Sequence, residues 1–197
     1  LAVGIISSLK PNSLLDRGTM LLALTGISAP VFWVGLLLIL IIGVNLKWLP
    51  PIGYGGFEYL ILPAITLGTR SAAFLARITR ATMLDVLQQD YIRTARAKGL
   101  PEWKVVLKHA FPNTLIPIIT IIGVDFGSYL SGAVLTESIF GWPGIGRFAL
   151  DAILKRDFPV IQGTVLFAAM MFILANLIVD LLYGVVDPKV RLERSNG

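Results

Sequence analysis

Asp125 is the ionisable residue of this sequence with the clearest potential for chemistry. It lies near the middle of an apolar run, residues 115–136, and Ser128 follows it about one helical turn later. An ionisable group in such a run is a functional candidate by default, because it faces a pathway, a water-filled cavity or a partner. The other interpretation is a carboxylate that is paired to another helix or kept neutral. Both interpretations stay open, and Asp125 and Ser128 are the candidates to line a pathway.

No motif for catalysis accompanies these residues. The sequence contains no GxxxxGK[ST] loop to hold nucleotide phosphates, no HExxH zinc motif and no GxSxG nucleophile turn. It has no cysteine and a single histidine, His109, so neither thiol chemistry nor a histidine cluster is possible. We therefore expect no enzymatic activity, no bound cofactor and no metal site in this chain.

The composition predicts an integral membrane protein. Of the 197 residues, 55% are hydrophobic and 15% are charged, whereas soluble domains average about 25% charged residues. The apolar residues are concentrated in runs close to the roughly 20 residues that a helix needs to cross a bilayer. We therefore predict an all-α, polytopic bundle of transmembrane helices that forms a single domain over residues 1–197. The complete spans are predicted at residues 20–44, 60–78, 115–136 and 165–186.

Two further expectations concern the ends of these spans. Residues 1–9 are apolar but too short to cross a bilayer, and we expect them to be the end of a truncated helix. Pro30 is expected to kink the first span, which membrane helices tolerate when neighbouring groups satisfy the freed carbonyl.

The basic residues predict the orientation of the chain. If residues 10–19, residues 85–112 and the C-terminal tail share one side with the helix-end arginines, that side holds 13 of the 17 Lys and Arg residues. The tail contributes Lys189, Arg191 and Arg194, and the helix-end arginines are Arg70, Arg77 and Arg80. The residues left on the other side are Lys47, Arg147, Lys155 and Arg156. By the positive-inside rule, the more basic side is cytoplasmic. Topology thus accounts for the net charge of +5, and no nucleic-acid partner is expected.

Residues 85–112, here called the charged block, are too polar for lipid and have a helical pattern. Leu84, Leu87, Tyr91 and Ala95 recur at helical spacing, so the second span is expected to continue into the block. Gly99 interrupts that helix, and Pro101 is placed as the first residue of another. Pro112 is expected to end the second helix. Its predicted apolar face consists of Trp103, Val106, Leu107 and Ala110.

The sequence of residues 76–113, ARITRATMLDVLQQDYIRTARAKGLPEWKVVLKHAFPN, resembles the cytoplasmic coupling segment of bacterial ABC importer permeases. The resemblance is to the dipeptide/oligopeptide/nickel branch of the binding-protein-dependent transporters. The general pattern of that segment is EAA, three residues, Gly, nine residues and I-x-L-P. Ala95, Gly99 and Pro112 match this pattern. The positions that depart from it, in a way typical of the branch, are Arg93, Thr94, His109 and Phe111.

Two other stretches carry the same resemblance. ESIFGWPGIG, residues 137–146, resembles the E-x-x-F-x-x-P-G-x-G signature after the fifth helix of these permeases, and residues 27–39 resemble their third helix. The implied periplasmic gate or loop residues are Glu137, Phe140, Pro143, Gly144 and Gly146. For Glu137, helix capping or gate packing is expected rather than contact with substrate. The resemblance covers nearly the whole chain and implies that a first helix and most of a second are missing from it.

The resemblance implies a subunit that receives force from an ATPase that it does not contain. ATP and Mg²⁺ would be held by the partner ATPase subunits. The residues implied to engage those subunits are Arg93, Ala95, Arg96, Lys98, Gly99, Trp103, Val106, Leu107 and Pro112. Trp103, Val106 and Leu107 would fill an apolar cleft on the ATPase, and the basic residues would pair with acidic groups at its rim.

The other implied partners are a second homologous permease, an extracytoplasmic solute-binding protein and the lipid bilayer of a bacterial or archaeal cell (inner) membrane. The binding protein would dock on residues 45–59 and 137–162. Di- or oligopeptides are the expected solute, and Asp125 could then bind a peptide amino terminus. An importer of nickel or another small solute is the close alternative.

Two functions from other classes stay open. An ion-coupled secondary transporter would need its own ion site near broken helices, for which Pro30 and Asp125 are the only support. A membrane enzyme is disfavoured because the catalytic motifs are absent. A requirement for ATP and a binding protein, rather than for an ion gradient, distinguishes the importer from the secondary transporter.

Overall fold

Every regular element of the part of the chain that the structure describes is a helix. The computed structural model describes residues 1–130 and 132–186, so Lys189, Arg191 and Arg194 of the predicted basic tail lie outside the described residues. The all-α fold class is confirmed. The helices are α1 (Ala2–Leu9), α2 (Leu14–Ser28), α3 (Val31–Leu38), α4 (Glu58–Leu87), α5 (Asp90–Ala97), α6 (Glu102–Lys104), α7 (Leu115–Leu130), α8 (Val134–Phe140), α9 (Ile145–Lys155) and α10 (Phe158–Val186).

Three helical runs among the described residues are long and apolar enough to cross a membrane. They are Glu58–Leu87, Glu102–Leu130 and Phe158–Leu182. A fourth crossing results if the bent pair Leu14–Ser28 and Val31–Asn45 is counted as one span. These lengths and compositions fit a polytopic helical membrane protein.

The first predicted span is broken at Pro30 rather than kinked. α2 ends at Ser28, and Pro30 has an extended backbone (ψ 132°) as the residue before α3. Its carbonyl accepts the backbone N–H groups of Trp33 and Val34, at 3.0 and 3.1 Å. Proline lacks an N–H, and its ring disfavours helical geometry in the residue before it. The helix therefore stops and starts again, and it continues beyond α3 as a π-helix over Ile39–Asn45.

The second predicted span runs on as expected, but only into the first residues of the charged block. α4 ends at Leu87, and Gln89 is extended (ψ 148°) before α5 begins at Asp90. Leu84 and Leu87 therefore lie on one helix, and Tyr91 and Ala95 on the next. An acidic residue is favourable in the first turn of a helix, which suits a new start at Asp90.

Pro112 does not end the second helix of the block. α6 continues as a π-helix over Val105–Ala110, passes through a 3₁₀ turn at Phe111–Thr114 and joins α7. The fixed φ of proline is compatible with helical backbone, so the missing N–H changes the helix type without ending the run. α7 then ends at Leu130, earlier than predicted, and Gly132 has a positive φ of 112° before the short helix α8.

The helices form two compact units. The first contains Leu1–Thr25, Ala72–Gly123 and the described part of Ile178–Gly197, and the second contains Gly26–Ser71 and Val124–Leu177. Within the first unit, Gly123 leaves no room for a Cβ beside Val179. Within the second, Gly127 packs against Phe172 and Ala175 in the same way. Glycine thus permits close approach of α7 and α10 in each unit. Whether the whole chain behaves as a single domain stays a prediction.

Candidate functional site

The charged block has a hydrophobic core of its own. The fully buried members come from the last turns of α4 (Met83), from α5 (Ile92) and from the π-helix (Val105 and Ala110), each with 0% of its surface exposed. The buried residues Ala95 and Val106 belong to the same cluster. Partly buried residues packed against it are Ile5, Val86, Leu87, Leu100 and Phe111. Burial of this apolar surface holds α5 and the π-helix that follows α6 against the end of α4.

Gly99 forms the turn between the two short helices. Its φ is +75°, and its N–H donates a hydrogen bond to the carbonyl of Arg96 at 2.9 Å. The N–H of Lys98 donates to the carbonyl of Thr94 at 3.0 Å. A positive φ costs other L-residues energy because their Cβ approaches the following carbonyl. The turn predicted at Gly99 is therefore present, and Pro101 caps the next helix, which begins at Glu102 rather than at the proline.

The apolar face predicted for the second helix is rotated in the structure. Val105, Val106 and Ala110 are buried, whereas Trp103 and Leu107 are 62% and 55% exposed. The prediction assumed an α-helix, but Val105–Ala110 is a π-helix whose hydrogen bonds join residues five apart. This winding places Val105 and Ala110 in the core. Val106 is 4% exposed, so it cannot fill a cleft on a partner as expected, and it supports the block from inside.

The outer surface of the block combines large apolar side chains with positive charge. Tyr91, Trp103 and Leu107 are all exposed, although partial burial of Tyr91 still raises the pKa of its hydroxyl. The ammonium of Lys104 lies 5.4 Å from the ring centroid of Trp103, within the range of a cation–π contact. The exposed basic residues around them are Arg93, Lys98, Lys104 and Lys108. Pro112 is also exposed.

Arg96 forms the shorter of two ion pairs described within the block, the other being Arg93 with Asp90 at 3.4 Å. Its guanidinium donates two hydrogen bonds to the carboxylate of Glu102, at 2.7 and 3.2 Å. Hydrogen bonding to that carboxylate raises the pKa of Arg96 above its usual range. This bidentate pair bridges the Gly99 turn and orients α5 relative to α6.

In the second unit, Glu137 joins the starts of two helices. Its carboxylate accepts the backbone N–H of Ala133 at 3.0 Å, before α8, and that of Arg147 at 2.7 Å, in the first turn of α9. The N-terminal N–H groups of a helix lack partners within the helix and favour a negative charge. These hydrogen bonds give Glu137 the capping role expected of it. Its place in a periplasmic gate stays a prediction.

The rest of the ESIFGWPGIG stretch fits around this carboxylate. A Cβ on Gly144 would overlap the carboxylate of Glu137, and one on Gly146 would lie 2.8 Å from Val134 Cγ2 and 3.0 Å from Glu137 Oε2. Phe140 is 2% exposed, and its ring packs against Gly35 of α3. Pro143 is exposed. Gly144 and Gly146 of the signature therefore leave the space that the glutamate occupies, whereas Phe140 packs elsewhere, on α3.

The loop before α4 packs on the same stretch. The N–H of Gly53 donates a hydrogen bond to the carbonyl of Phe140 at 2.8 Å. The rings of Tyr54 and Trp142 meet edge to face, with centroids 5.9 Å apart. Both of the loops predicted to receive a binding protein therefore belong to one packed surface of the second unit.

Asp125 and Ser128 lie on α7, half-buried and exposed respectively. Neither forms an ion pair or hydrogen bond to another side chain that the structure describes. Their neighbour Tyr129, which sequence reasoning missed, forms a hydrogen bond with the hydroxyl of Ser71 at 2.6 Å and donates to the carbonyl of Leu67 at 3.2 Å. Tyr129 thus fixes α7 to α4, and the pathway role of Asp125 stays a prediction.

The ion pair between Asp16 and Arg80 in the first unit was also not predicted from the sequence. Asp16 was assigned to a polar connection, yet its side chain is 3% exposed. No local pattern could have paired them, because the two partners are 64 residues apart in the chain.

Comparison with known proteins gives a family match over most of the chain. Residues 1–192 match the family described as binding-protein-dependent transport system inner membrane component. The di/tripeptide transport system permease protein DppB of Pseudomonas aeruginosa is 46% identical over 98% of this chain and 66% of its own length. The glutathione transport system permease protein GsiC is 49% identical in Pectobacterium atrosepticum and 47% identical in Escherichia coli K12. Each of those alignments covers 97% of this chain and 62% of the relative, so the chain spans about two thirds of its relatives' length or slightly less.

Proposed function

Because the chain belongs to the binding-protein-dependent transport system inner membrane components, we propose that it acts in an ATP-driven importer that moves short peptides into the cell. As a member of that family it is a multi-pass protein of the inner membrane. The proposed role is mechanical. The chain forms part of the solute pathway and receives force from ATPase subunits through the charged block.

The surface of the charged block is the observation that supports this role most strongly. Exposed large apolar side chains at Tyr91, Trp103 and Leu107 stand among basic residues, on a block whose shape is maintained by a separate buried core. Aromatic residues surrounded by charge are typical of the energetic centre of a protein–protein interface. Rim charges such as Arg93 and Lys98 would set orientation and association rate more than affinity.

The block is connected at both ends to helices that can span the membrane. α4 enters it, and the continuous run Glu102–Leu130 leaves it. A displacement of the docked block is therefore passed directly to two spanning helices. ATP-driven closure of the ATPase pair would change the pathway from one open side to the other by rigid-body motion.

The chemistry and the remaining parts of the machine belong to partners in this proposal. ATP and Mg²⁺ are bound and used by the ATPase subunits, and this chain is not an enzyme. A second homologous permease completes the pathway between the two subunits. An extracytoplasmic binding protein delivers the solute to the packed surface formed by residues 45–59 and 137–162.

Short peptides are the proposed solute class because the relatives named for di/tripeptides and for glutathione are similarly close to this chain. Those solutes share an amino group, carboxylates and amide bonds. Asp125 on α7 is the proposed contact for the amino group, since a carboxylate at mid-membrane favours a cationic partner. Nickel or another small solute is the alternative, and competition in the transport assay distinguishes it.

The test is reconstitution of the complete transporter in liposomes with its binding protein. Uptake of a labelled tripeptide is measured with ATP, without ATP, and with an ion gradient alone. We expect uptake to require both ATP and the binding protein. Excess glutathione or dipeptide should reduce this uptake, whereas nickel should not. Uptake that is driven by an ion gradient without ATP would show a secondary transporter.

Variants of the charged block test whether it couples ATP hydrolysis to uptake. Gly99→Pro and Trp103→Asp are expected to uncouple ATP hydrolysis from uptake, because one distorts the turn and the other places a charge in the apolar centre. Lys10→Gln, in the polar connection of residues 10–19, serves as a matched surface control. Normal uptake by both block variants in an otherwise unchanged complex contradicts the coupling role.

A further inference from the structure

A largely buried bidentate ion pair joins the first turn of α2 to α4, the helix that leads into the charged block. The guanidinium of Arg80 on α4 donates one hydrogen bond to each carboxylate oxygen of Asp16, at 2.5 and 2.6 Å. The Asp16 side chain is 3% exposed, and that of Arg80 is 23% exposed. Planar fork geometry of this kind fixes orientation as well as distance.

The surroundings of Asp16 hold its carboxylate in position. The backbone N–H of Asn12 donates to Asp16 Oδ2 at 2.8 Å, and the N–H of Asp16 itself donates to the hydroxyl of Ser13 at 3.1 Å. Ser7 and Thr19 form a hydrogen bond between their hydroxyls at 2.6 Å, which ties α1 to α2 across the same connection. The pair thus attaches a structured hairpin to α4, not a free loop.

A second attachment lies close by. Gly4 of α1 packs so tightly on α4 that a Cβ there would lie 2.8 Å from Thr79 Cβ and 3.1 Å from the Arg80 nitrogen. One residue further on, Ile5 packs against the hydrophobic core of the charged block. The hairpin of α1 and α2 therefore contacts both the base of the block and α4 just before it.

We propose that Asp16 and Arg80 are positioning residues that make the α1–α2 hairpin move with the charged block as one body. This inference rests on the proposed coupling function and extends it. Without the pair, only the packing contacts of α1 through Gly4 and Ile5 would hold the hairpin to α4 and the block. Motion of the block could then be absorbed by sliding at those contacts. With the pair, motion of the block also reaches α2, which leads to the break at Pro30.

The alternative is an ion pair that only stabilises the fold. The two roles are distinguished by the number of solute molecules imported per ATP hydrolysed, which loss of stability alone does not change in the complexes that remain assembled. Variants are Asp16→Asn, which removes the charge, and Arg80→Lys, which keeps the charge but loses the fork. Arg17→Gln is the matched control, because Arg17 is exposed, adjacent to Asp16 and outside every ion pair among the described residues.

In the reconstituted transporter we expect Asp16→Asn to lower import per ATP by about tenfold, a size typical of coupling between sites. Import per ATP by Arg80→Lys should lie between that of Asp16→Asn and that of the unchanged protein. Import per ATP by Arg17→Gln should equal that of the unchanged protein. Where Asp16→Asn fails to assemble, Arg80→Lys carries the test. If the Asp16 or Arg80 variant imports as many solute molecules per ATP as the unchanged protein, the proposed positioning role is overturned. ATP-driven uptake by the unchanged complex would still uphold the transport function in that case. Absence of that uptake overturns both.

A spectroscopic measurement tests, without reference to transport, whether the α1–α2 hairpin and the charged block keep a fixed distance. The chain has no cysteine, so spin labels can be attached at Leu14→Cys and Gln88→Cys, both exposed positions of this chain. The labelled chain is then assembled into the complete transporter. We expect one narrow label-to-label distance that is the same with and without trapped ATP. Asp16→Asn should broaden it. A distance that changes with nucleotide in the unchanged protein, or that stays narrow in Asp16→Asn, overturns the inference.

Discussion

The carboxylate of Glu137 and the backbone N–H of Arg147 are joined by a hydrogen bond of 2.7 Å. The other carboxylate oxygen accepts the N–H of Ala133 at 3.0 Å, so one side chain caps two helices. Replacing it by alanine leaves two helix-terminal donors without that partner. We expect Glu137→Ala to destabilise the second unit by about 1–3 kcal/mol, which can be measured by thermal unfolding and by proteolysis between α8 and α9.

Glu58→Gln is the control for that measurement, because Glu58 is an exposed carboxylate in the first turn of α4. It should change stability by no more than about 0.5 kcal/mol. Equal effects of the two substitutions would show that Glu137 is not a special contact.

Gly144→Ala should be destabilising for a steric reason. The added Cβ would overlap the carboxylate of Glu137, although the backbone of Gly144 (φ −105°) is open to any residue. We expect a loss of about 1–3 kcal/mol, the usual cost of overpacking. Gly163→Ala in α10 is the matched control, since nothing lies within 4 Å of its added Cβ. It should be neutral or stabilising because alanine favours helix, and a loss there like that at Gly144 would contradict the steric explanation.

Gly99 separates a backbone effect from a steric one. No atom lies within 4 Å of a Cβ added there, but φ is +75°. Gly99→Ala should therefore cost about 1–2 kcal/mol through the left-handed backbone alone, and Gly99→Asn should cost less because asparagine tolerates that region. Unfolding midpoints of the two variants give the order. An alanine variant as stable as the unchanged protein would mean that the turn adopts another conformation.

The two sides of the π-helix should respond differently to truncation. Val105 is fully buried and Leu107 is 55% exposed. Val105→Ala is expected to lower stability by about 2 kcal/mol by leaving a cavity, whereas Leu107→Ala should stay within about 0.5 kcal/mol and impair only ATP-driven uptake. Hydrogen exchange of α5 and α6 reports the first effect. If both variants lost protection from hydrogen exchange to the same extent, Leu107 would belong to the core of the block.

The exposed ion pair in the block should matter little for stability. Arg96 and Glu102 form a bidentate contact, but their side chains are 41% and 55% exposed. Pairs of this kind are worth at most about 1 kcal/mol because water and salt screen them. Glu102→Gln should therefore leave the unfolding midpoint almost unchanged, and the small remaining effect should vanish in high salt. A large loss would show that the pair is shielded in the assembled complex.

Local patterns in the sequence were sufficient for the fold class and for several turning points. Long apolar runs require helices, because backbone polar groups in lipid must be satisfied within the segment. The glycine turn at Gly99 follows from a breaker between two periodic stretches. The signature from Glu137 to Gly146 could be recognised as a unit, and its capping role was expected from its place at a helix end.

Helix type and burial could not be read in the same way. The periodicity around Trp103 was interpreted with 3.6 residues per turn, and the π-helix over Val105–Ala110 changed which residues face inward. In a π-helix each N–H donates to a carbonyl one residue further back than in an α-helix. This change has no clear signature in side-chain types. In this winding Val105 and Ala110 pack with Met83 and Ile92 in one buried cluster.

The sequence by itself determined that this is a helical membrane protein, which parts of it are polar, and which family it resembles. Those properties depend on composition and on spacing within single segments. Only the tertiary structure decided that Val106 supports the block from inside, that Glu137 occupies the space left by Gly144, and that Asp16 meets Arg80. Each of these is a contact between separate structural elements, and Asp16 and Arg80 are 64 residues apart. Such contacts are fixed by the packing of whole helices, which no local pattern records.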